Sequence, residues 1–505
     1  MSEEETPDAY LRSGIPGLDT VLTGGFLRGG IYIVQGTPGT GKTIFGNQLC
    51  FNHAARGGKA LYVTLLAESH SRMLMHMNVL SFFDPSAIPD RVYYVSAFQE
   101  LEQNGVGALI DLLRREVRRH GADVLVLDGL VAVETHAGGS MQFKKFIHEL
   151  QVQATVLDCT MFLLTSAGSD LPTVAEHTMV DGVMVLANRL HGWRTERDLQ
   201  VLKRRGRDYL QGRHAFRITQ AGIVVYPRVE GMYALPSRTD RVDGPPLPTG
   251  IEGFDELIGG GLPAHSTTLL LGSAGSGKTT FGLQFLSGGG TDSPGLLVGF
   301  HETAAGLRAK CKALELAFSE GMDQGRVEVM WTPTTEGLID QTCAEMLTAV
   351  DRRGVRRLFI DGLEAFQRLA SDPARVDPIF AAFAAELRAR NVTTVYTAEA
   401  ETLVGGRGGS PMAGISIRGV SGIAENILLM RFLEVRSSVY RVISVLKARD
   451  SRIDNSLRLF EITQGGIVID ASPEAAERIL QDALGTWLQR PTAGDASAPP
   501  GAPGA

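Results

Sequence analysis

Short apolar runs recur along the chain between polar, glycine-bearing turns. In the first half they are Ala60–Thr64, Asp123–Asp128, Met161–Thr165, Val183–Leu186 and Leu199–Lys203. In the second they are Leu296–Phe300, Arg357–Asp361, Thr393–Thr397, Ile427–Arg431 and Tyr440–Lys447. Runs of this length predict strands buried on both faces, the habit of a parallel sheet covered by helices. Between them, helical spacing predicts helices at Ile44–Ala55, Val106–His120, Thr280–Ser287 and Leu338–Arg353. The alternation of strand and helix predicts an α/β chain, each half a mainly parallel sheet flanked by helices. No run approaches the eighteen apolar residues of a spanning helix, so a soluble protein with no membrane partner is expected.

Each half opens with the same phosphate-binding pattern, G-x-x-x-x-G-K-[ST]. The first copy is Gly36-Thr37-Pro38-Gly39-Thr40-Gly41-Lys42-Thr43, and the second is Gly272-Ser273-Ala274-Gly275-Ser276-Gly277-Lys278-Thr279, followed by Thr280. The spacing has a mechanical reason. A glycine-rich turn lets successive backbone N–H groups surround a phosphate, and the following helix offers its N-terminus to the same anion. Lys42 and Lys278 would neutralise the outer phosphates of ATP, and the Thr43 and Thr279 hydroxyls would hold Mg2+.

The copies belong to a duplication. Ser13-Gly14-Ile15-Pro16-Gly17-Leu18-Asp19 returns as Thr249-Gly250-Ile251-Glu252-Gly253-Phe254-Asp255, at the same separation as Lys42 and Lys278. Two domains are therefore expected, 13–234 and 249–472. They follow a mobile lead-in over 1–12 and are joined by a stiff proline-rich linker over 235–248. Beyond them one amphipathic helix is expected near 473–488, then a disordered Pro/Gly/Ala tail.

Composition narrows the function classes. A net charge of −7 on 505 residues argues against a general nucleic-acid binder, which needs clustered Lys and Arg. Cys50, Cys159, Cys311 and Cys343 are far apart, without zinc spacing, and read as reduced core thiols in a cytoplasmic protein. The acidic, polar N-terminus is unlike a signal peptide.

Asp128 and Asp361 end apolar strands, which brings them to the carboxyl edge beside the phosphate loop, where a carboxylate orients magnesium. The bland alternative is a strand-ending Asp that caps a helix. A water or hydroxyl attacking the γ-phosphate needs a carboxylate near it, and the natural place is the end of the strand after the first helix. The second half offers Glu302 there, beside His301, and the first offers Glu68, for which a surface glutamate is an equal reading. Late in each half lies a basic K-x-R element, Lys203 with Arg205 and Lys447 with Arg449. Alternation along a strand puts each pair on one face. Such cations suit a phosphate chain held by a neighbouring subunit, against the bland reading of a solvated strand end.

Together, the duplicated loop, the repeated opening phrase, the strand Asp and the late LK-x-R element resemble the KaiC family of double-domain clock ATPases and autokinases in the RecA superfamily. The resemblance runs over roughly 13–470. It implies a RecA-like fold in each half, a homo-hexameric ring with ATP between subunits, contact of Lys203, Arg205, Lys447 and Arg449 with the neighbour's nucleotide, and a regulatory protein partner. It also implies autophosphorylation in the second half. Ser421 aligns with the family's phosphorylation pair, with Gly422 where the threonine stands, and Ser416 falls where the family has a further hydroxyl. The family places two consecutive glutamates after the third strand. Here the second half has His301-Glu302, and the first has Leu66-Ala67 with Glu68 one place on. ATP turnover is therefore expected mainly in the second half. Two other classes share the core: a DNA-handling motor, disfavoured by the acidic balance, and a nucleotide-gated scaffold with little turnover.

Overall fold

The computed structural model describes residues 9–65, 70–166, 176–239, 244–289, 292–400, 423–435, 438–448, 456–470 and 472. Glu68, Ser416, Ser421, Arg449, the helix expected near 473–488 and the tail lie outside them. The chain divides between Ala234 and Leu235 into two units.

In the first unit, β1 (Ile31–Gln35) leads into α1 (Lys42–Ala55) and β2 (Ala60–Thr64). There follow α2 (His70–Met77), β3 (Val92–Ser96), α3 (Phe98–His120), β4 (Val124–Asp128), α4 (Ser140–Leu157) and β5 (Thr160–Thr165). The long strands β6 (Gly182–His191) and β7 (Arg194–Arg204) and the hairpin β8 (Arg213–Thr219) and β9 (Gly222–Tyr226) complete it. In space the strands run β3-β2-β4-β5-β1-β6-β7-β8-β9. β1 to β6 are parallel and the last three antiparallel.

In the second unit the elements are β10 (Thr267–Gly272), α5 (Lys278–Ser287), β11 (Gly295–Gly299), α6 (Ala304–Ala313), β12 (Val327–Trp331), α7 (Ile339–Arg353) and β13 (Arg357–Asp361). They continue with α8 (Leu363–Gln367), α9 (Val376–Ala389), β14 (Thr393–Glu399), β15 (Asn426–Val435), β16 (Ser438–Lys447), β17 (Arg458–Thr463) and β18 (Gly466–Ile469). Their spatial order, β12-β11-β13-β14-β10-β15-β16-β17-β18, repeats that of the first unit position for position. These are tandem RecA-like folds.

The central strands are buried at nearly every position because helices cover both faces. In the first unit Tyr32, Val34, Tyr62, Val126 and Phe162 enter one core, while Ile31, Ile33, Leu61, Leu125 and Met161 enter the core on the other side. That is the two-residue period of a strand sorting its side chains between two layers. The helix after each phosphate loop lies close on the sheet. A Cβ at Gly46 would stand 2.9 Å from Val126, and one at Gly282 would stand 2.1 Å from the Phe359 ring, which explains the repeated Phe-Gly pair. Each helix is also clamped to the last hairpin. Gln48 Oε1 accepts the Ile223 N–H at 2.7 Å, and Gln284 Oε1 accepts that of Ile467 at 2.7 Å. All four cysteines are buried and none forms a disulfide.

One sequence expectation needs correction. The lead-in over 1–12 is tied down at its end: Tyr10–Leu11 pairs antiparallel with Phe26–Leu27, with Leu11 buried. A bulge sets Val183 opposite Lys203 but Met184 opposite Val201, and β7 stops at Arg204. Arg205 lies just past the strand, and its side chain reaches the same Thr178 carbonyl as that of Lys203, at 2.6 and 2.9 Å respectively. The described part of the linker sits against the second unit, where the Ser237 N–H donates to buried Glu386 at 2.7 Å.

Candidate nucleotide site

Each phosphate loop joins a central strand to a helix at the carboxyl edge of its sheet, where the parallel order leaves a crevice. Gly41 and Gly277, at the helix N-caps, have φ of 103° and 110°, the left-handed region where a side chain would be strained. Lys42 Nζ donates to the Gly36 and Thr37 carbonyls at 2.7 and 3.1 Å, and Lys278 Nζ to those of Gly272 and Ser273 at 2.7 and 2.9 Å. Burial lowers both ammonium pKa values, and neighbouring carboxylates partly offset it: Asp128 for Lys42, and Glu399, Asp361 and Glu364 for Lys278. In the second loop, Ser273 Oγ and Ser276 Oγ are buried without a hydrogen-bond partner, the state expected of groups that wait for a polar ligand.

The strand aspartates come to these loops. Thr43 Oγ1 donates to Asp128 Oδ2 at 3.1 Å, and Thr279 Oγ1 donates to Asp361 Oδ2 at 2.8 Å. Each carboxylate has a second hydroxyl that the sequence reading missed, and the two come from different sides. Tyr62 OH on β2 donates to Asp128 at 2.8 Å, whereas Thr397 Oγ1 on β14 donates to Asp361 Oδ1 at 2.7 Å. Burial, followed by the Asp128 charge, pushes the Tyr62 phenol well above its ordinary value.

In the second unit a cleft of about 360 Å³ is lined by Lys278, Thr279, Glu302, Asp361, Glu364 and Glu399. Glu302 is held by Lys310 of α6 at 3.1 Å, and Thr303 caps that helix through the Gly306 N–H. Glu364 and Glu399 were not singled out from the sequence. A D-x-x-E spacing after the strand end was the only signal for Glu364, and Glu399 carried none beyond its place at the end of an apolar run. Arg368 also lines the cleft.

Lys203 and Lys447 are not part of their own unit's site. Lys203 stands opposite Val183, level with Ile33, and its ammonium donates to the Thr178 and Val180 carbonyls. Lys447 stands opposite Ile427, level with Leu269, and donates to the Ala424 carbonyl at 2.6 Å. Both ammonium groups thus face the amino edge, away from the phosphate loop of the same unit. Among the described residues no group of three His, Cys, Asp or Glu could hold a metal by itself, and no helix is long and apolar enough to cross a membrane.

A family model described as the KaiC ATPase matches residues 11–230 and 247–474, one match on each unit. The chain belongs to the KaiC family of ATPases. Its similarity to named KaiC proteins extends over nearly the whole chain. It is 27% identical to the circadian clock oscillator protein KaiC of Picosynechococcus sp. over 492 residues, 93% of this chain and 91% of that protein. It is 26% identical to the KaiC of Synechococcus elongatus over 95% of this chain and 92% of the other. To the circadian clock protein KaiC3 of Synechocystis sp. it is also 26% identical, over 93% of each. The two KaiC matches account for the duplication, and a KaiC-type ATPase implies nucleotide binding.

Proposed function

We propose that this KaiC-family chain binds Mg-ATP in both units and hydrolyses it mainly in the second. On this reading the domains at 13–234 and 249–472 form a homo-hexameric ring that phosphorylates itself and signals to a regulatory protein. The observation that carries the reading is the Lys-Thr-Asp set built identically at both loops. The residues fit a magnesium nucleotide: the loop amides and Lys42 or Lys278 receive the phosphates, and Thr43 with Asp128, or Thr279 with Asp361, would hold the ion. When bound, magnesium would draw charge from the outer phosphates as the terminal bond breaks.

On this reading Glu302, which lines the cleft at the second loop, orients the attacking water. The water oxygen bonds to the γ-phosphorus, the bond to the bridging oxygen of ADP breaks, and the water proton passes to the Glu302 carboxylate. For self-phosphorylation the Ser421 hydroxyl replaces water, with Ser416 as the competing acceptor. The first unit carries Val131 and Ser166 where the second has Glu364 and Glu399, counted from the strand Asp and the loop. Fewer carboxylates at its loop support slower turnover there.

Phosphate release from Lys42→Ala and Lys278→Ala proteins tests the assignment. The Lys278→Ala protein should lose most turnover, and Glu302→Gln should follow it. Turnover that survives Glu302→Gln but is lost with Glu68→Gln would reverse the assignment of the working site. Phosphopeptide mapping after incubation with γ-labelled ATP should find Ser421. An unlabelled chain that still hydrolyses ATP would leave an ATPase without kinase activity.

A further inference from the structure

Glu399 ends β14, and its register is specific: it lies directly across from Gly272, the first residue of the second phosphate loop. The next residue secures the junction, since the Ala400 N–H donates to the Gly272 carbonyl, which also receives Lys278 Nζ. The backbone at Glu399 is fixed from a third side, because its N–H donates to Glu364 Oε1 at 2.7 Å. Side chains two apart on a strand share a face. Thr397, two residues earlier, directs its hydroxyl onto Asp361, so Glu399 continues the same row toward the loop. Its exposed carboxylate lines the cleft with Lys278 and Thr279, and it is the leading charge acting on the Lys278 ammonium.

We infer that Glu399 sets the second site's preference between nucleoside diphosphate and triphosphate, by placing a fixed negative charge beside the terminal phosphate. The inference rests on the reading of this cleft as a nucleotide site. A triphosphate brings one more phosphate, and the extra negative charge meets the carboxylate in a half-enclosed cleft where like charges repel. The same charge competes with the phosphates for Lys278. A diphosphate ends short of this contact and feels it less. The first unit supplies an internal contrast. By the strand pairing, Ser166 follows Thr165 as Glu399 follows Ala398, so the equivalent place beside Gly36 is uncharged.

The test is equilibrium binding of ATP and ADP, each with magnesium, to full-length chains in which one site has been disabled. Lys42→Ala reports the second site and Lys278→Ala the first. In the Lys42→Ala protein, Glu399→Gln should shift the ratio Kd(ATP)/Kd(ADP) toward ATP by about threefold to tenfold, and by less at high salt. Glu399→Asp, which keeps the charge, should leave the ratio near its starting value, and Glu399→Gln in the Lys278→Ala protein should change nothing. An unchanged ratio, an equal shift of both affinities, or weaker ATP binding on neutralisation would overturn the inference with the site reading intact. Failure of the Lys42→Ala protein to bind either nucleotide would overturn both.

Discussion

The Tyr62 hydroxyl lies 2.8 Å from Asp128 Oδ2, the same oxygen that accepts the Thr43 hydroxyl at 3.1 Å. In the second unit, Asp361 takes its hydroxyls on separate oxygens, from Thr279 and Thr397. Tyr62 is fully buried, so Tyr62→Phe removes the hydroxyl without opening a cavity. A hydrogen bond to a charged group contributes about 1.5–3 kcal/mol. The substitution should destabilise the first unit by that order and weaken magnesium-dependent nucleotide binding at Lys42, leaving the second site unaffected. Hydrogen exchange across Val124–Asp128 reads the first effect. Unchanged protection there would show that the hydroxyl does not hold the carboxylate.

Gln284 fastens the loop helix α5 to the final hairpin through the Ile467 N–H, from a side chain that is itself buried. Gln284→Leu keeps the volume but leaves that buried N–H without its acceptor, at a cost of about 1–3 kcal/mol. Urea unfolding should show a loss of this size, and Gln48→Leu should show a similar loss in the first unit. Loss of cooperativity without a shift in midpoint would count against the clamp.

His70 gives the first unit a pH dependence. Its Nε2 lies 2.9 Å from Thr64 Oγ1 at the end of β2, and burial lowers its pKa below the ordinary 6.5. Between the folded value and 6.5 the unfolded chain binds more protons, so stability rises with pH through that window. Above 6.5 both states are neutral and the effect vanishes; below the folded value the penalty is complete. Acidification from pH 7 should therefore reduce protection across Ala60–Thr64, and His70→Gln should remove this component. The same acid sensitivity in the variant would assign it to another group.

The sequence made some parts of the site legible and concealed others for a physical reason. Lys42, Thr43, Lys278 and Thr279 follow from spacing along one turn, and Asp128 and Asp361 from the end of an apolar strand. Each of these signals is local. Tyr62 and Thr397 bond to those aspartates only across strands, and along the chain each reads as one more residue in a buried run. Glu399 was hidden likewise, because its meaning depends on register with Gly272. The edge strand Val92–Ser96 went unread since its tyrosines are only half covered.

The orientation of Lys203 and Lys447 bears on assembly. Each ammonium is turned toward the amino edge of its sheet, while the phosphate loop of the same unit opens at the carboxyl edge, so neither completes its own site. If these cations serve a neighbour's nucleotide, the contact is heterologous, and repeated heterologous contacts close into a ring where the rotation permits. Burial, then repulsion from Arg205, lowers the Lys203 pKa, and a phosphate chain placed between the two cations would relieve that repulsion. Nucleotide should therefore promote assembly. Light scattering is expected to give a larger mass with Mg-ATP than without, with six chains in the ring. Lys203→Ala and Lys447→Ala together should remove the increase while leaving nucleotide binding within each chain. A wild-type monomer under both conditions would exclude a role for these lysines across subunits. A ring that forms equally well in the double variant would assign assembly to other surfaces.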